Sequence, residues 1–162
     1  MELTLLEDNP HWLNDRCYDS FTGREVLDKA LSFLQVIKEL LKTVNAKNIF
    51  FINLEKPEFI PYKNDAAYLE KIYEEYLKLA NPNKDERIYF FIDEIQIFQN
   101  WEIFVKSKYE NSNIKFIITG SNSSLLTSSY ATVLTGRVLK LRVHSFNFKE
   151  FLEYKNIDFS SR

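Results

Sequence analysis

The sequence predicts an α/β protein with three layers, in which helices cover both faces of a mostly parallel sheet. Three short apolar runs indicate buried strands, and segments with helical periodicity separate them. Strands that alternate with helices of ten or more residues are typical of parallel sheets. The three runs are "NIFFINL" (48–54), "RIYFFID" (87–93) and "IKFIITG" (114–120).

The helices follow from apolar spacing and from residues that mark helix ends. Thr22 and Glu25 have the spacing of a capping box, which predicts that the first helix begins at Gly23. Apolar residues then recur at intervals of three and four, without Pro or Gly, as far as Val44. Further helices are predicted over 65–80, 100–111, 123–134 and 145–154, with a half-exposed edge strand over 137–143 and a loop with two prolines over 55–65.

The bulk composition excludes several classes of protein. The 162 residues suit one domain, and we expect an N-terminal arm over 1–22 followed by one core over 23–162. Cys17 is the single cysteine, so no disulfide forms within the chain. The net charge of -2 does not support nucleic-acid binding. Without a signal peptide or an apolar run of about 20 residues, we expect a cytoplasmic protein and no membrane partner.

Two pairs of polar residues follow two of the predicted strands. Asp93 and Glu94 end the second strand, and Ser121 and Asn122 follow the third. Ligands of open α/β sheets bind at this carboxyl edge. Phosphoryl transfer needs one carboxylate near Mg²⁺, a second near the attacking water, and a polar group near the γ-phosphate. A strand end that simply meets solvent explains the same pattern, and spacing alone leaves both interpretations open.

The motifs "FFIDEIQIFQNWEIFVKSKYENSNIKFIITGSNSSLL" (90–126) and "LTGRVLKLRVHSFNFKEFL" (134–152) resemble those of a prokaryotic AAA+ P-loop ATPase family. Members of that family carry DEIQ as Walker B and ITGSS as sensor 1, and usually continue into a helical lid and a nuclease-like domain. The resemblance covers nearly the whole chain. It implies a P-loop NTPase-like core, with ATP and Mg²⁺ as cofactors, and partners that are further copies of the chain or intact AAA+ relatives.

The resemblance also assigns roles to single residues. Asp93 corresponds to the magnesium ligand of Walker B, and Glu94 to the glutamate that activates water. Ser121 and Asn122 lie in the sensor 1 region. Arg137 corresponds to an arginine finger that acts on a neighbouring subunit.

The phosphate loop of the family, G-x-x-x-x-G-K-[ST], has no match in this chain. In one register, Gly23 to Ala30 is a degenerate loop, with Lys29 as its lysine and Asp28 in place of the second glycine. In the other, the first strand and the loop are lost between Leu34 and Gln35. We favour the loss, because the capping box starts a helix at Gly23 and the apolar spacing of that helix continues unbroken across that point.

These observations predict an AAA+ ATPase-like domain that is shortened, lacks the first strand and the lid, and binds nucleotide weakly. Without the loop, most of the backbone donors that hold the β- and γ-phosphates are missing. The alternatives are a non-enzymatic interaction module and a decayed fragment of an AAA+ ATPase.

Overall fold

The computed structural model describes residues 27–65 and 67–120, together with the single positions 134, 138, 139, 148, 149 and 152. Helices and strands alternate along the described chain. In chain order they are α1 (Leu27–Leu40), β1 (Ile49–Asn53), α2 (Ala67–Ala80), β2 (Ile88–Asp93), α3 (Trp101–Asn111) and β3 (Ile114–Ile118). Short 3₁₀ helices lie at Ala46–Asn48, Pro57–Tyr62 and Ile95–Ile97.

The three strands form one parallel sheet in the order β1-β2-β3. Phe90 of β2 lies between Phe50 of β1 and Phe116 of β3 in the register of the sheet. Each strand is joined to the next through a helix, as parallel pairing requires. The predicted α/β fold with a parallel sheet is therefore confirmed.

Apolar clusters lie on both faces of the sheet. On one face, Phe33 and Ile37 of α1 pack against Ile49 and Phe91. On the opposite face, a larger cluster joins alternate sheet residues such as Phe90 to α2 and α3. Because side chains alternate along a strand, one buried strand supplies apolar residues to both clusters. The described elements thus form three layers, with α1 alone on one side of the sheet.

Two parts of the described structure differ from the sequence-based expectations. Residues Pro57–Tyr62 form a 3₁₀ helix within the predicted loop, and the side chain of Phe59 is buried there. Proline at the first helical position costs no hydrogen bond, so Pro57 starts this turn instead of preventing it. Helix α1 ends at Leu40, before Val44, and the next three residues form turns.

The predicted strand over 137–143 is wrong at its two described residues. Val138 and Leu139 have no regular secondary structure, and 51% and 87% of their surfaces are exposed. Alternating apolar residues form a strand only where a neighbouring strand pairs with them, and neither of these two described residues belongs to a strand. By contrast, Phe148, Lys149 and Leu152 are helical, as predicted for 145–154.

A buried amide fixes the amino edge of the sheet. Asn48 is fully buried just before β1, and its Nδ2 donates to the carbonyl of Asn83 at 2.8 Å and to that of Arg87 at 3.4 Å. Its Oδ1 accepts a hydrogen bond from the backbone N–H of Asn83 at 2.9 Å. One side chain therefore holds the loop between α2 and β2 against the start of β1.

Replacing Asn48 with alanine is expected to destabilise the fold by about 2–4 kcal/mol, because several backbone groups lose their partner in a buried position. Urea denaturation measures this change. The control is Asn111→Ala, because the exposed amide of Asn111 makes one hydrogen bond within its own helix. The control is expected to cost less than about 1 kcal/mol. Equal losses in the two variants would contradict a special role for Asn48.

Tyr76 is the largest fully buried side chain among the described residues, and its hydroxyl donates to the carbonyl of Lys47 at 2.8 Å. Burial raises the pKa of Tyr76 far above its ordinary value of 10.0, and the neighbouring Tyr73 adds to the rise. The unfolded chain therefore loses this proton at a lower pH than the folded chain. The stability linked to Tyr76 is complete below pH 10 and is lost as the pH rises above it.

Above about pH 10, we expect the free energy of unfolding of Tyr76→Phe to fall less steeply with pH than that of the unmodified chain. The expected difference in slope is about 1.4 kcal/mol per pH unit. The measurement is the free energy of unfolding between about pH 8 and about pH 11. The control is Tyr109→Phe, because the ring of Tyr109 is 49% exposed. If both variants keep the slope of the unmodified chain, Tyr76 does not control alkaline unfolding.

Candidate functional site

The candidate site lies at the carboxyl edge of the sheet, where β2 and β3 end. Asp93 is the last residue of β2, and only 8% of its surface is exposed. The hydroxyl of Thr119, just beyond β3, donates a hydrogen bond to Oδ1 of Asp93. Phe91 and Ile117 belong to the apolar cluster beneath α1. Asp93 follows Phe91 by two residues, and Thr119 follows Ile117 by two. The pair therefore lies on the sheet face that α1 covers.

Backbone hydrogen bonds hold this edge on both sides of β2. The N–H of Leu54 donates to the carbonyl of Asp93 at 3.1 Å, and the N–H of Thr119 donates to the carbonyl of Ile92 at 3.0 Å. The N–H of Ile95 donates to the carbonyl of Thr119 at 3.3 Å. The sheet pairing therefore continues past the strand ends, which fixes the positions of both carboxylates.

Glu94 has an unusual backbone conformation. Its φ and ψ angles are 56° and 44°, in the left-handed region, and 4% of its surface is exposed. A residue with a Cβ atom is less stable there by about 1–2 kcal/mol. The side-chain amide of Gln96 donates to Oε2 of Glu94. Strain of this kind is often retained at functional sites, because the fold must hold a reactive group in one place.

Asn53 lies next to Asp93 on the neighbouring strand. The two residues are partners in the register of β1 and β2, so their side chains point to the same face. Oδ1 of Asn53 accepts the N–H of Glu55 at 2.8 Å. Asn53 therefore holds the start of the loop that follows β1, beside Asp93.

The donor atoms at this edge suit magnesium. Asp93 supplies a carboxylate and Thr119 a hydroxyl, both hard oxygen ligands. Within the described ranges, no group of three or more His, Cys, Asp or Glu residues can hold a metal ion. Magnesium commonly takes one or two carboxylates and completes its shell with water and substrate phosphates. The edge thus fits an ion that is bound together with a nucleotide.

Asp93 ends β2 and Glu94 follows it, as the predicted strand requires, and their roles as magnesium ligand and water-activating base stay predictions. Ser121, Asn122 and Arg137 lie outside the described residues, so their roles stay predictions.

The structure also bears on the missing phosphate loop. Lys29 lies in the backbone of α1, which is helical without a break from Leu27 to Leu40. The point between Leu34 and Gln35 is therefore the middle of a helix, with no strand or glycine loop. The degenerate register needs Gly23 to Ala30, and only its last four residues are described. The role of Lys29 stays a prediction.

Two residues beside the candidate carboxylates are not among the predicted site residues. The predicted residues of this loop follow Gly120, although the alternation through Ile117 places Thr119 on the same face as Asp93. The sequence presents Gln96 only as part of the DEIQ motif. No pattern in the sequence shows that its side chain turns back to Glu94, because that contact depends on the left-handed backbone of Glu94.

Thr119→Val is expected to destabilise the chain by about 1.5–3 kcal/mol, because a buried carboxylate loses a hydrogen bond while the side-chain volume is kept. Thr119→Ser keeps the hydroxyl and is expected to retain most of the stability. Urea denaturation at neutral pH compares the two. If the serine and valine variants are equally stable, the hydroxyl contributes nothing to Asp93.

Comparisons with known proteins agree with the fold. A family model described as "AAA domain" matches residues 29–152. An uncharacterized protein of Haemophilus influenzae is 36% identical over 119 residues, which cover 74% of this chain and 28% of that protein. An uncharacterized protein of Methanocaldococcus jannaschii is 36% identical over 134 residues, which cover 83% of this chain and 28% of that protein.

The chain therefore matches little more than a quarter of the length of these relatives. No solved structure matches it significantly. None of the helices in the described part of the chain has both the length and the apolar character to cross a bilayer. The family model covers most of the chain, and the described sheet has the expected parallel α/β form. The chain belongs to the AAA domain family, whose members are P-loop ATPase-like proteins.

Proposed function

We propose that this chain is a cytoplasmic AAA+ ATPase-like domain that hydrolyses ATP slowly and binds the nucleotide weakly. The observation that carries the proposal is the cluster at the carboxyl edge. Buried Asp93 pairs with the hydroxyl of Thr119, and Glu94 is held beside them in a left-handed turn. Two fixed carboxylates at the end of a parallel strand suit phosphoryl transfer.

Asp93 and Glu94 take different roles in this proposal. Asp93 would hold Mg²⁺ through its carboxylate, and Thr119 keeps that carboxylate in place. When bound, the ion would supply positive charge beside the phosphates. Glu94 accepts a proton from a water molecule as the water oxygen attacks the γ-phosphorus. The bond from the γ-phosphorus to the bridging oxygen breaks, and ADP leaves with that oxygen.

Further residues of the proposed site come from the family resemblance. Ser121 and Asn122 would contact the γ-phosphate, and Asn122 is the better donor because of its amide. Arg137 would act on the nucleotide of a neighbouring subunit, since a guanidinium stays charged and binds two oxygens at once. In a degenerate phosphate loop, Lys29 would contact the phosphates. Identical copies or intact AAA+ relatives are the proposed partners.

Weak binding follows from the shortage of glycine. The chain has three glycines, Gly23, Gly120 and Gly136, and no two of them have the spacing of a phosphate loop. A loop without glycine cannot turn successive backbone N–H groups toward the phosphates without steric cost. The phosphates therefore lose most of their backbone donors.

Calorimetry with Mg²⁺ and ATP, combined with phosphate release at millimolar ATP, tests this proposal. We expect a dissociation constant of about 1 mM or weaker, which corresponds to about -4 kcal/mol. Glu94→Gln is expected to lower hydrolysis by about 100-fold or more, because the base is lost, and to leave binding unchanged. Glu74→Gln, on the exposed side of α2, is the control that keeps both properties.

Each result has a definite meaning. Micromolar binding would contradict the inference that the phosphate-holding part is missing. Phosphate release that Glu94→Gln does not change would contradict the ATPase proposal. In that case a non-enzymatic interaction module, the second candidate function, explains the chain better.

The second candidate is a non-enzymatic interaction module. It is favoured by the exposure of two adjacent apolar residues, Val138 and Leu139, which leave 51% and 87% of their surfaces uncovered. Large apolar side chains in such positions are common where a partner docks. Light scattering and a pull-down with an intact relative distinguish this candidate. A monomer that captures no relative would argue against it and leave the decayed fragment as the remaining alternative.

A further inference from the structure

We infer that Gln96 positions Glu94 for catalysis: its amide N–H holds the Glu94 carboxylate, and its amide oxygen accepts a hydrogen bond from the attacking water. The inference rests on the proposed ATPase function and adds a residue to the same site.

The orientation of the Gln96 amide follows from its partner. An ionised carboxylate only accepts hydrogen bonds, so the NH₂ group of Gln96 must face Oε2 of Glu94. The oxygen of the same planar amide is then the acceptor that the Gln96 side chain presents to another donor. Both side chains belong to one tight turn, in which the N–H of Ile97 donates to the carbonyl of Glu94 at 3.1 Å. The pair is therefore held together by backbone as well as by side chain.

The amide oxygen of Gln96 is left without a protein donor. Oε1 is buried from solvent, and among the described residues it has no hydrogen-bond partner. Buried acceptors in native proteins are nearly always satisfied, and an exception points to a missing water or ligand. A donor must therefore reach Oε1 beside the carboxylate of Glu94.

A water molecule is the donor that fits this place. Water has two O–H groups, so one can donate to Oε1 of Gln96 and the other to the Glu94 carboxylate. Two fixed acceptors define the direction of the water oxygen, as attack on phosphorus requires. Glu94 takes the proton, and Gln96 remains neutral throughout. Gln96 is thus a positioning residue, whose effect on the reaction is through Glu94 and the water.

A purely structural role is the alternative to test. The left-handed turn at Glu94 is strained, and Gln96 could serve only to hold it. In that case its removal would lower stability and leave turnover at saturating ATP unchanged. The two roles are separated by measuring kcat and KM independently, together with the pH dependence of kcat.

The first experiment detects the contact without any nucleotide. The side-chain amide of Gln96 is followed by NMR in the full chain and in the Glu94→Gln variant. We expect its proton resonances to shift in the variant, because the charged acceptor is replaced by a neutral amide. The side-chain amide of Gln99, which is exposed, is the internal control and is expected to stay unchanged. An unchanged Gln96 resonance would overturn the inference.

The second experiment measures hydrolysis over a series of ATP concentrations that extends well above KM, with Gln96→Met, which keeps the length of the side chain but removes both polar atoms. We expect kcat to fall by about 10- to 100-fold, with KM within about twofold. Gln99→Met is the matched control and is expected to retain kcat. Thermal unfolding confirms that each variant folds. An unchanged kcat in a folded Gln96→Met chain would overturn the inference.

Gln96→Glu gives a second, independent readout. It places a like charge beside Glu94, so one of the two carboxyls keeps its proton to a higher pH. We expect the acid limb of the kcat profile to move to higher pH, which loss of folding stability alone does not produce. An acid limb in the same position would count against a contact with the base.

The failure of this inference can be distinguished from failure of the proposed function. If the amide resonance responds to Glu94→Gln but no Glu94-dependent hydrolysis occurs, the ATPase proposal fails and the water role fails with it. If Glu94-dependent hydrolysis occurs but Gln96→Met leaves kcat unchanged, the ATPase proposal stands and the inference fails.

Discussion

The pairing of β2 with both of its neighbours is the constraint on which the rest of the described structure depends. Its apolar residues are shared between two clusters, so every layer of the fold contacts it. At its carboxyl end, the backbone bonds of Asp93 with Leu54 and of Ile92 with Thr119 continue the pairing beyond the strands. Because folding already fixes this hydrogen-bonded backbone, holding the residues of the edge in place costs little further conformational entropy.

The two ends of the sheet differ in the polar groups that lie there. At the amino end, Asn48 satisfies backbone groups of the loop before β2, and its partners are all within the protein. At the carboxyl end, Asp93, Glu94 and Thr119 bring two carboxylates and a hydroxyl to the place where β2 and β3 end. The amino end therefore contributes to stability, and the carboxyl end holds the two buried acidic side chains of the described chain.

The sequence was a sufficient guide to the strands, because continuous runs such as "RIYFFID" contain no polar interruption, and their burial leaves little choice of structure. The strand ends placed Asp93 and Glu94 correctly for the same reason. Contacts that depend on the detailed backbone conformation could not be predicted from the sequence. Glu94 has a left-handed backbone, and the side chain of Gln96 turns back toward its carboxylate. Both features belong to the turn in which the backbone of Ile95 bonds to that of Thr119, a tertiary contact that no local sequence pattern encodes. The strand predicted over 137–143 failed where described, because alternation shows an amphipathic segment but not its partner.

The left-handed backbone of Glu94 has a consequence for how this position tolerates change. Glycine occupies that conformation freely, so the residue that suits the backbone best carries no carboxylate. β-Branched residues suit it worst. The optimum for folding and the optimum for chemistry thus fall on different amino acids at one position. In relatives that are no longer selected for hydrolysis, we expect glycine or asparagine to accumulate at this position. In relatives under such selection, we expect glutamate to be kept despite its backbone strain.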